Sequence, residues 1–202
     1  VQPGRTTPLF TAEDVPLPGR HNLSNACMAA AAALAAGATP EGVVTGLRGF
    51  HGLPHRLELV ATRAGVRFYN DSIATNPESV YAALDALAGP IQWIGGGAGK
   101  GLDLAPLSHA LVSRVQACHL IGRMAPELDA LLRAARGGRP APTLATHATL
   151  EHAVAAAATA STPGGVVLLS PACASFDMFA NFQARGDAFR RAVLALPARD
   201  AA

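Results

Sequence analysis

Short apolar runs and helix-spaced segments alternate along most of this chain. VRFYN (66–70), PIQWIGG (90–96), CHLIG (118–122) and VVLLS (166–170) are dense in β-branched, aromatic and leucine residues, and TLATH (143–147) is a weaker run of the same kind. Between them, residues 77–88, 105–116, 125–136 and 149–160 repeat apolar positions at helical spacing, and a last helix is expected near 185–196. Strands alternating with helices of about 10–15 residues predict right-handed crossovers and an α/β fold with a mostly parallel sheet and flanking helices. One pair breaks the pattern: RLELVAT (56–62) and VRFYN are separated only by Arg63-Ala64-Gly65, which predicts a hairpin.

The first fifty residues read differently. Residues 1–20 are rich in proline and predict an irregular lead-in with one short strand. Residues 22–36 are strongly helical and Gly37 suits a helix stop. Thr39-Pro40-Glu41 supplies a cap, a proline at the first helical position and an acid in the first turn of a second helix ending near Leu47. GFHGLPH (49–55) then reads as a linker and a candidate hinge.

In a parallel sheet, ligands collect outside the carboxyl ends of the strands. Three polar or glycine-rich stretches follow apolar runs there: NDSIATN (70–76), GGGAGKG (95–101) and SPACASFD (170–177). Asn76-Pro77-Glu78 starts a helix, so Asn76 has a sufficient structural task as its cap. Asp71 and Thr75 do not: an Asp at a strand end suits ribose hydroxyls or a metal, and Thr75 can donate to an anion. The same segment also reads as a plain capped turn. GGGAGKG is neither a Walker A loop, since Ile94 stands at the first glycine position and Gly101 at the Ser/Thr, nor a GxGxxG turn. Its glycines predict free N–H groups facing an anion, a carboxylate or phosphate, with a strand-to-helix turn as the plain alternative. Ser175 precedes an expected helical turn, another anion-binding geometry.

Composition sharpens one of these sites. Of sixteen basic residues only Lys100 is lysine, and it lies in GGGAGKG, where a compact ammonium rather than a planar fork is offered. The net charge of +2 is too small for an electrostatic grip on nucleic acid. Cys27, Cys118 and Cys173 are an odd, dispersed set that fits a reducing cytosol, so a cytoplasmic location is expected, with Cys173 a buried structural thiol. The apolar run at 26–36 is too short to span a bilayer. At the start of the first helix, Asn22 serves either as its cap or, with Asn25, as an amide that reads a base edge. Arg56 either holds phosphate or is a solvated linker charge. The histidines at 51, 109, 119, 147 and 152 show no metal-ligand spacing.

Together GRHNLSNA (19–26), GLPHRLE (52–58), VRFYNDSIATNPES (66–79), IGGGAGKG (94–101) and LLSPACASFDMFANFQARGDAF (168–189) resemble the Mur ligases, in the branch that adds D-glutamate. The resemblance implies a C-terminal Rossmann-like domain over 52–197, preceded by the helical tail of a central ATPase domain (1–51) and followed by a tail at 198–202. It implies an ATP- and Mg2+-dependent ligase of peptidoglycan precursor synthesis that joins D-glutamate to UDP-N-acetylmuramoyl-L-alanine through an acyl phosphate. By motif position, Asn22 and Asn25 would approach adenine, Arg56 the phosphates or ribose, and Asp71 the ribose. Thr75, Lys100, Ser175 and the backbone near Phe182 would hold the carboxylates of D-glutamate. Many relatives carry Lys where this chain has Ile73. Nothing here matches the family's P-loop, carbamylated lysine, metal ligands or uridine-binding domain. The 202 residues are therefore expected to be inactive without the missing N-terminal and central domains. Two other classes remain: another amino-acid ligase such as a folylpolyglutamate synthase, and a non-catalytic nucleotide- or anion-binding module.

Overall fold

The computed structural model describes residues 8–140 and 142–197, with only the backbone of His21. The expected tail at 198–202 and the first seven residues of the lead-in lie outside this range. The chain divides between Gly52 and Leu53 into two compact units.

The first unit holds two helices. Residues 8–19 contain one 3-10 turn, Ala12–Asp14, and no strand. Helix α1 (Arg20–Ala35) begins two residues earlier than its composition suggests and ends in a Schellman motif. Gly37 sits at φ +95°, its N–H reaching the Leu34 carbonyl while that of Ala38 reaches Ala33. Helix α2 (Pro40–Arg48) starts as expected, with the Thr39 hydroxyl accepting from the Gly42 N–H at 3.1 Å. Arg48 in its last turn pairs with Asp14 at 2.7 Å.

The second unit is a six-stranded sheet in the order β1-β2-β6-β3-β4-β5. Strands β1 (Glu58–Arg63) and β2 (Val66–Asn70) form the hairpin, closed by Ala64 and Gly65, both at positive φ as a two-residue I′ turn requires. From β2 the chain crosses through α3 (Pro77–Ala86) to β3 (Ile91–Gly96), α4 (Ala105–Arg114) to β4 (Ala117–Ile121), and α5 (Ala125–Arg136) to β5 (Thr143–Thr146). Helix α6 (Leu150–Ala160) then returns it to β6 (Val166–Leu169), inserted between β2 and β3 with parallel pairing to both. The last helix, α7 (Phe182–Leu194), starts three residues before its expected position because Asn181 caps it, accepting from the Ala184 N–H at 2.7 Å.

Strand alternation divides the core between two faces. Tyr69, Trp93, Cys118, Leu120, Val166 and Leu168 pack toward α3, α4 and α5. Phe68, Ile94, Ile121, Val167 and Leu169 pack toward α6 and α7. The insertion of β6 makes the neighbouring carboxyl ends of β2, β6 and β3 the place where the winding reverses. NDSIATN follows β2, SPACASFD follows β6 and GGGAGKG begins at the end of β3.

Candidate functional site

The three loops interlock. Gly96 N–H donates to Pro171 O at 2.9 Å, and Ala98 and Ala174 exchange a pair of backbone bonds at 2.8 and 3.0 Å. Gly97 lies at φ +130°, and a Cβ there would come within 2.2 Å of the Ala174 carbonyl. The glycines thus serve close packing between loops. Two of the N–H groups expected to face an anion are consumed by the β6 loop, which leaves Lys100 as the cationic group of this segment.

Lys100 is exposed, and its ammonium donates to Thr75 Oγ1 at 2.7 Å, joining the β3 and β2 loops. Both residues, singled out separately in the sequence, therefore meet. Beside them lies a cleft of about 110 Å3 walled by Gly101, Leu102, Leu104, Met124, Ala172 and Cys173, with Glu127 also on its lining. Lys100 itself lines this cleft, so its wall sets apolar side chains beside one cation and one carboxylate, and the ammonium with the Thr75 hydroxyl bonded to it are the groups that suit a carboxylate ligand. Ser175 is 2% exposed, and its carbonyl accepts from Met178 and Phe179 N–H groups, a tight turn rather than a helix start. Phe182 opens α7, and its carbonyl accepts from the Ser72 hydroxyl at 2.8 Å.

Asp71 is nearly buried. Its Oδ1 accepts from Leu57 N–H at 3.0 Å and its Oδ2 from Ser170 Oγ at 2.8 Å. Burial pushes its pKa up to about 6, against the pull of those two donors and of Arg56. Through Leu57 it braces the segment that presents Arg56. That segment is less a linker than a strained loop: His55 and Leu57 both hold left-handed φ angles, 64° and 44°, on either side of an exposed Arg56. His55 itself is buried, its Nδ1 accepting from Asn70 Nδ2 at 3.0 Å while its carbonyl accepts from Ile73 N–H. Ile73 is thus held by its backbone, and its side chain is half-buried.

In the first unit, Gly19 occupies the N-cap of α1, so Asn22 is not the cap. Its side-chain amide donates back to the Pro18 carbonyl at 2.7 Å, while Asn25 is exposed.

Two clusters went unread in the sequence. Arg185 is 1% exposed and hydrogen-bonds to the β2 and β6 loops, although the motif NFQARGDAF had already placed it among the resembling residues. His119 is buried between Gln92 and His147: its Nε2 lies 3.1 Å from Gln92 Oε1 and its Nδ1 3.0 Å from His147 Nε2. Burial, with His147 adding to it, lowers its pKa to about 4. The two histidines come from β4 and the residue just after β5, a pairing only the sheet order creates. Cys118 and Cys173 are buried, and burial raises their thiols to about 12 and 11, whereas Cys27 is exposed. Among the described residues no group of three or more His, Cys, Asp or Glu could hold a metal, and no helix is long and apolar enough to cross a membrane.

Similarity to known proteins extends over most of the chain. The family described as Mur ligase, glutamate ligase domain, matches residues 55–173. UDP-N-acetylmuramoylalanine–D-glutamate ligases from Nitrosococcus oceani and Symbiobacterium thermophilum are 44% and 42% identical over 92% and 96% of this chain, covering 40% and 42% of their own length. The same-named protein of Burkholderia mallei is 47% identical over 92% of the chain and 36% of its own length. The chain thus spans about two fifths of the curated relatives it matches. Among solved structures, Mycobacterium tuberculosis folylpolyglutamate synthase, in complex with ADP and AMPPCP, superposes with a TM-score of 0.67 at 18% identity over 92% of this chain and 42% of its own. Thermotoga maritima UDP-N-acetylmuramate-alanine ligase gives 0.68 at 15% over 90% and 39%. At these identities the superpositions speak for the fold alone. By the match over 55–173, which runs from the strained His55 loop to the Cys173 wall of the cleft, this chain belongs to the Mur ligase family.

Proposed function

We propose that this chain is the C-terminal part of an ATP-dependent ligase that adds D-glutamate to UDP-N-acetylmuramoyl-L-alanine in peptidoglycan precursor synthesis. Residues 1–51 would close the central ATP-binding domain, and 52–197 would form the C-terminal domain. The observation that carries this reading is the bond from the Lys100 ammonium to the Thr75 hydroxyl at the reversal point of the sheet, with Lys100 lining a cleft there. The names of relatives 42–47% identical support the choice of D-glutamate.

In this reading Lys100 and Thr75 grip one carboxylate of D-glutamate, and Ser175 with the first amides of α7 at Phe182 receives the other. Fixing both ends of a dianion orients the amine toward the acyl phosphate of the second substrate and removes the entropy of that encounter. Arg56 reaches the phosphates or ribose of ATP, Asp71 meets the ribose, and Asn22 and Asn25 approach the adenine. Mg2+ accompanies ATP and neutralises phosphate charge. The described residues offer it no ligand set, and no step assigned here passes through it. The reaction places the whole protein in the cytoplasm with its precursors.

The test uses the full-length protein with ATP, Mg2+ and UDP-N-acetylmuramoyl-L-alanine, measuring phosphate release against a panel of amino acids. D-glutamate is the expected acceptor, and turnover with another amino acid while D-glutamate is rejected overturns the assignment. Lys100→Arg is expected to raise the KM for D-glutamate about tenfold or more with little change in the KM for ATP, because a planar fork cannot occupy a point-charge slot.

A further inference from the structure

Arg185 projects from the second turn of α7 into the space beneath the three loops and is 1% exposed. Its Nε donates to Ser72 Oγ at 3.0 Å and its Nη2 to the Ser72 carbonyl at 2.9 Å, so the β2 loop is gripped at side chain and backbone together. Its Nη1 donates to the Cys173 carbonyl at 3.1 Å on the β6 loop. A side chain at Gly97 would be blocked by the Ala174 carbonyl, 2.2 Å from its Cβ, and would also come within 3.2 Å of Nη1, so the guanidinium lies close to the β3 loop. Ser72 passes the grip back to α7, donating to the Phe182 carbonyl at 2.8 Å. Among the described residues Arg185 makes no ion pair; Asp177 acts on it only at longer range. A structural arginine serving packing alone is usually neutralised when buried, since an uncompensated charge in the interior is costly. Here the positive charge is kept, hydrogen-bonded only to neutral oxygens, at the place where an anionic ligand is to be received.

We propose that Arg185 is the positioning residue of the amino-acid site: by tying Ser72 to Cys173 against Gly97 it sets the spacing of Thr75, Lys100 and Ser175, and its uncompensated charge favours a dianionic occupant. This rests on the ligase reading above for the identity of that occupant. Ser72 and Thr75 are three residues apart in one loop, Cys173 and Ser175 two apart in another, and Gly97 and Lys100 three apart in the third. A shift at the guanidinium therefore moves the β2 and β6 groups directly, and Lys100 through its bond to Thr75. Lysine cannot substitute, because one ammonium on a single stem does not span Ser72 Oγ, Ser72 O and Cys173 O in the required plane.

The experiment uses the full-length protein carrying Arg185→Ala or Arg185→Lys, with steady-state kinetics in each substrate, thermal melting, and addition of guanidinium chloride at low millimolar, non-denaturing concentration. Arg185→Ala is expected to raise the KM for D-glutamate at least tenfold while the KM for ATP stays within twofold, with guanidinium restoring part of the loss saturably. Arg185→Lys is expected to keep the melting temperature closer to that of the parent without recovering the KM. An unchanged KM for D-glutamate overturns the proposal in either variant, as does a loss shared equally by both substrates that guanidinium does not relieve. Should Arg185→Ala not fold, the Lys variant alone decides by the same KM comparison. If the unsubstituted protein turns over with another amino acid, the D-glutamate assignment fails separately, and Arg185 is judged on the KM of that acceptor.

Discussion

Gly186→Ala should destabilise the protein, although the helix in which it sits would gain from the change. Alanine in a helix interior is favoured over glycine by about 1 kcal/mol. Against that, a Cβ at 186 would lie 2.2 Å from His55 Nδ1 and 3.0 Å from two ring carbons of the same histidine. The imidazole cannot swing away freely: it is 7% exposed, and its Nδ1 is the acceptor for Asn70 Nδ2. Forcing a methyl into such packing costs about 1–3 kcal/mol, and breaking the buried Asn70–His55 bond about 1–3 kcal/mol more. The net expectation is about 1–5 kcal/mol of lost stability, or a fall in melting temperature of roughly 4–12 °C in the middle of that range for a chain this long. Thermal melting followed by far-UV circular dichroism, with urea titration alongside, measures it. The decisive control is a double-mutant cycle with His55→Ala: without the ring the clash vanishes and the same glycine-to-alanine change should become neutral or stabilising. A rise in melting temperature for Gly186→Ala alone, or an equal loss in both backgrounds, would refute the claim that the glycine exists to admit His55.

Two further substitutions should change the pH dependence of stability in opposite directions. The folded-state pKa of Asp71, raised from 3.8 to about 6, means that its stabilising contribution is full below pH 3.8 and is lost as pH rises through 6; Asp71→Asn should remove that loss, worth on the order of 3 kcal/mol, from melting curves taken between pH 4 and 7. His119 is lowered from 6.5 to about 4, so its contribution is full above pH 6.5 and is lost as pH falls through 4; His119→Gln should flatten the acid limb over that window by a similar amount, and an unchanged limb would show that His119 does not titrate there. Alkylation at pH 8 followed by peptide mapping should modify Cys27 of the 202-residue chain and spare Cys118 and Cys173, whose thiols are buried and raised to about 12 and 11, until denaturant is added. Equal labelling of all three would contradict the buried positions.

The interlocked loops also account for the glycines of GGGAGKG. Trp93 fills the space over Gly95, where a Cβ would meet its ring at 2.0 Å, and its indole N–H donates to the Ser170 carbonyl at 2.9 Å. The end of β3 is thereby anchored to the loop after β6 before either reaches the cleft.

Pattern and propensity along the chain were enough to locate the elements and the sheet edge that carries the candidate site. Apolar period decides strand or helix locally, and caps such as Thr39, Asn76 and Gly37 act within four residues, so these features were legible without any long-range contact. The polar loops were legible too, because each follows an apolar run and a parallel sheet sends all such loops to one edge. Relations between distant residues came from the packed fold instead. The insertion of β6 between β2 and β3 brought Thr75 to Lys100 and consumed the amides of Gly96 and Ala98, which read as free for an anion. The β1–β2 pairing took Asp71 into a brace for the Arg56 loop, and the packing of α7 made of Arg185 a tie between loops about a hundred residues apart in the chain. A hydrogen-bonding group is open to a ligand only when no protein partner reaches it first. That depends on strand order, which pattern and propensity do not encode.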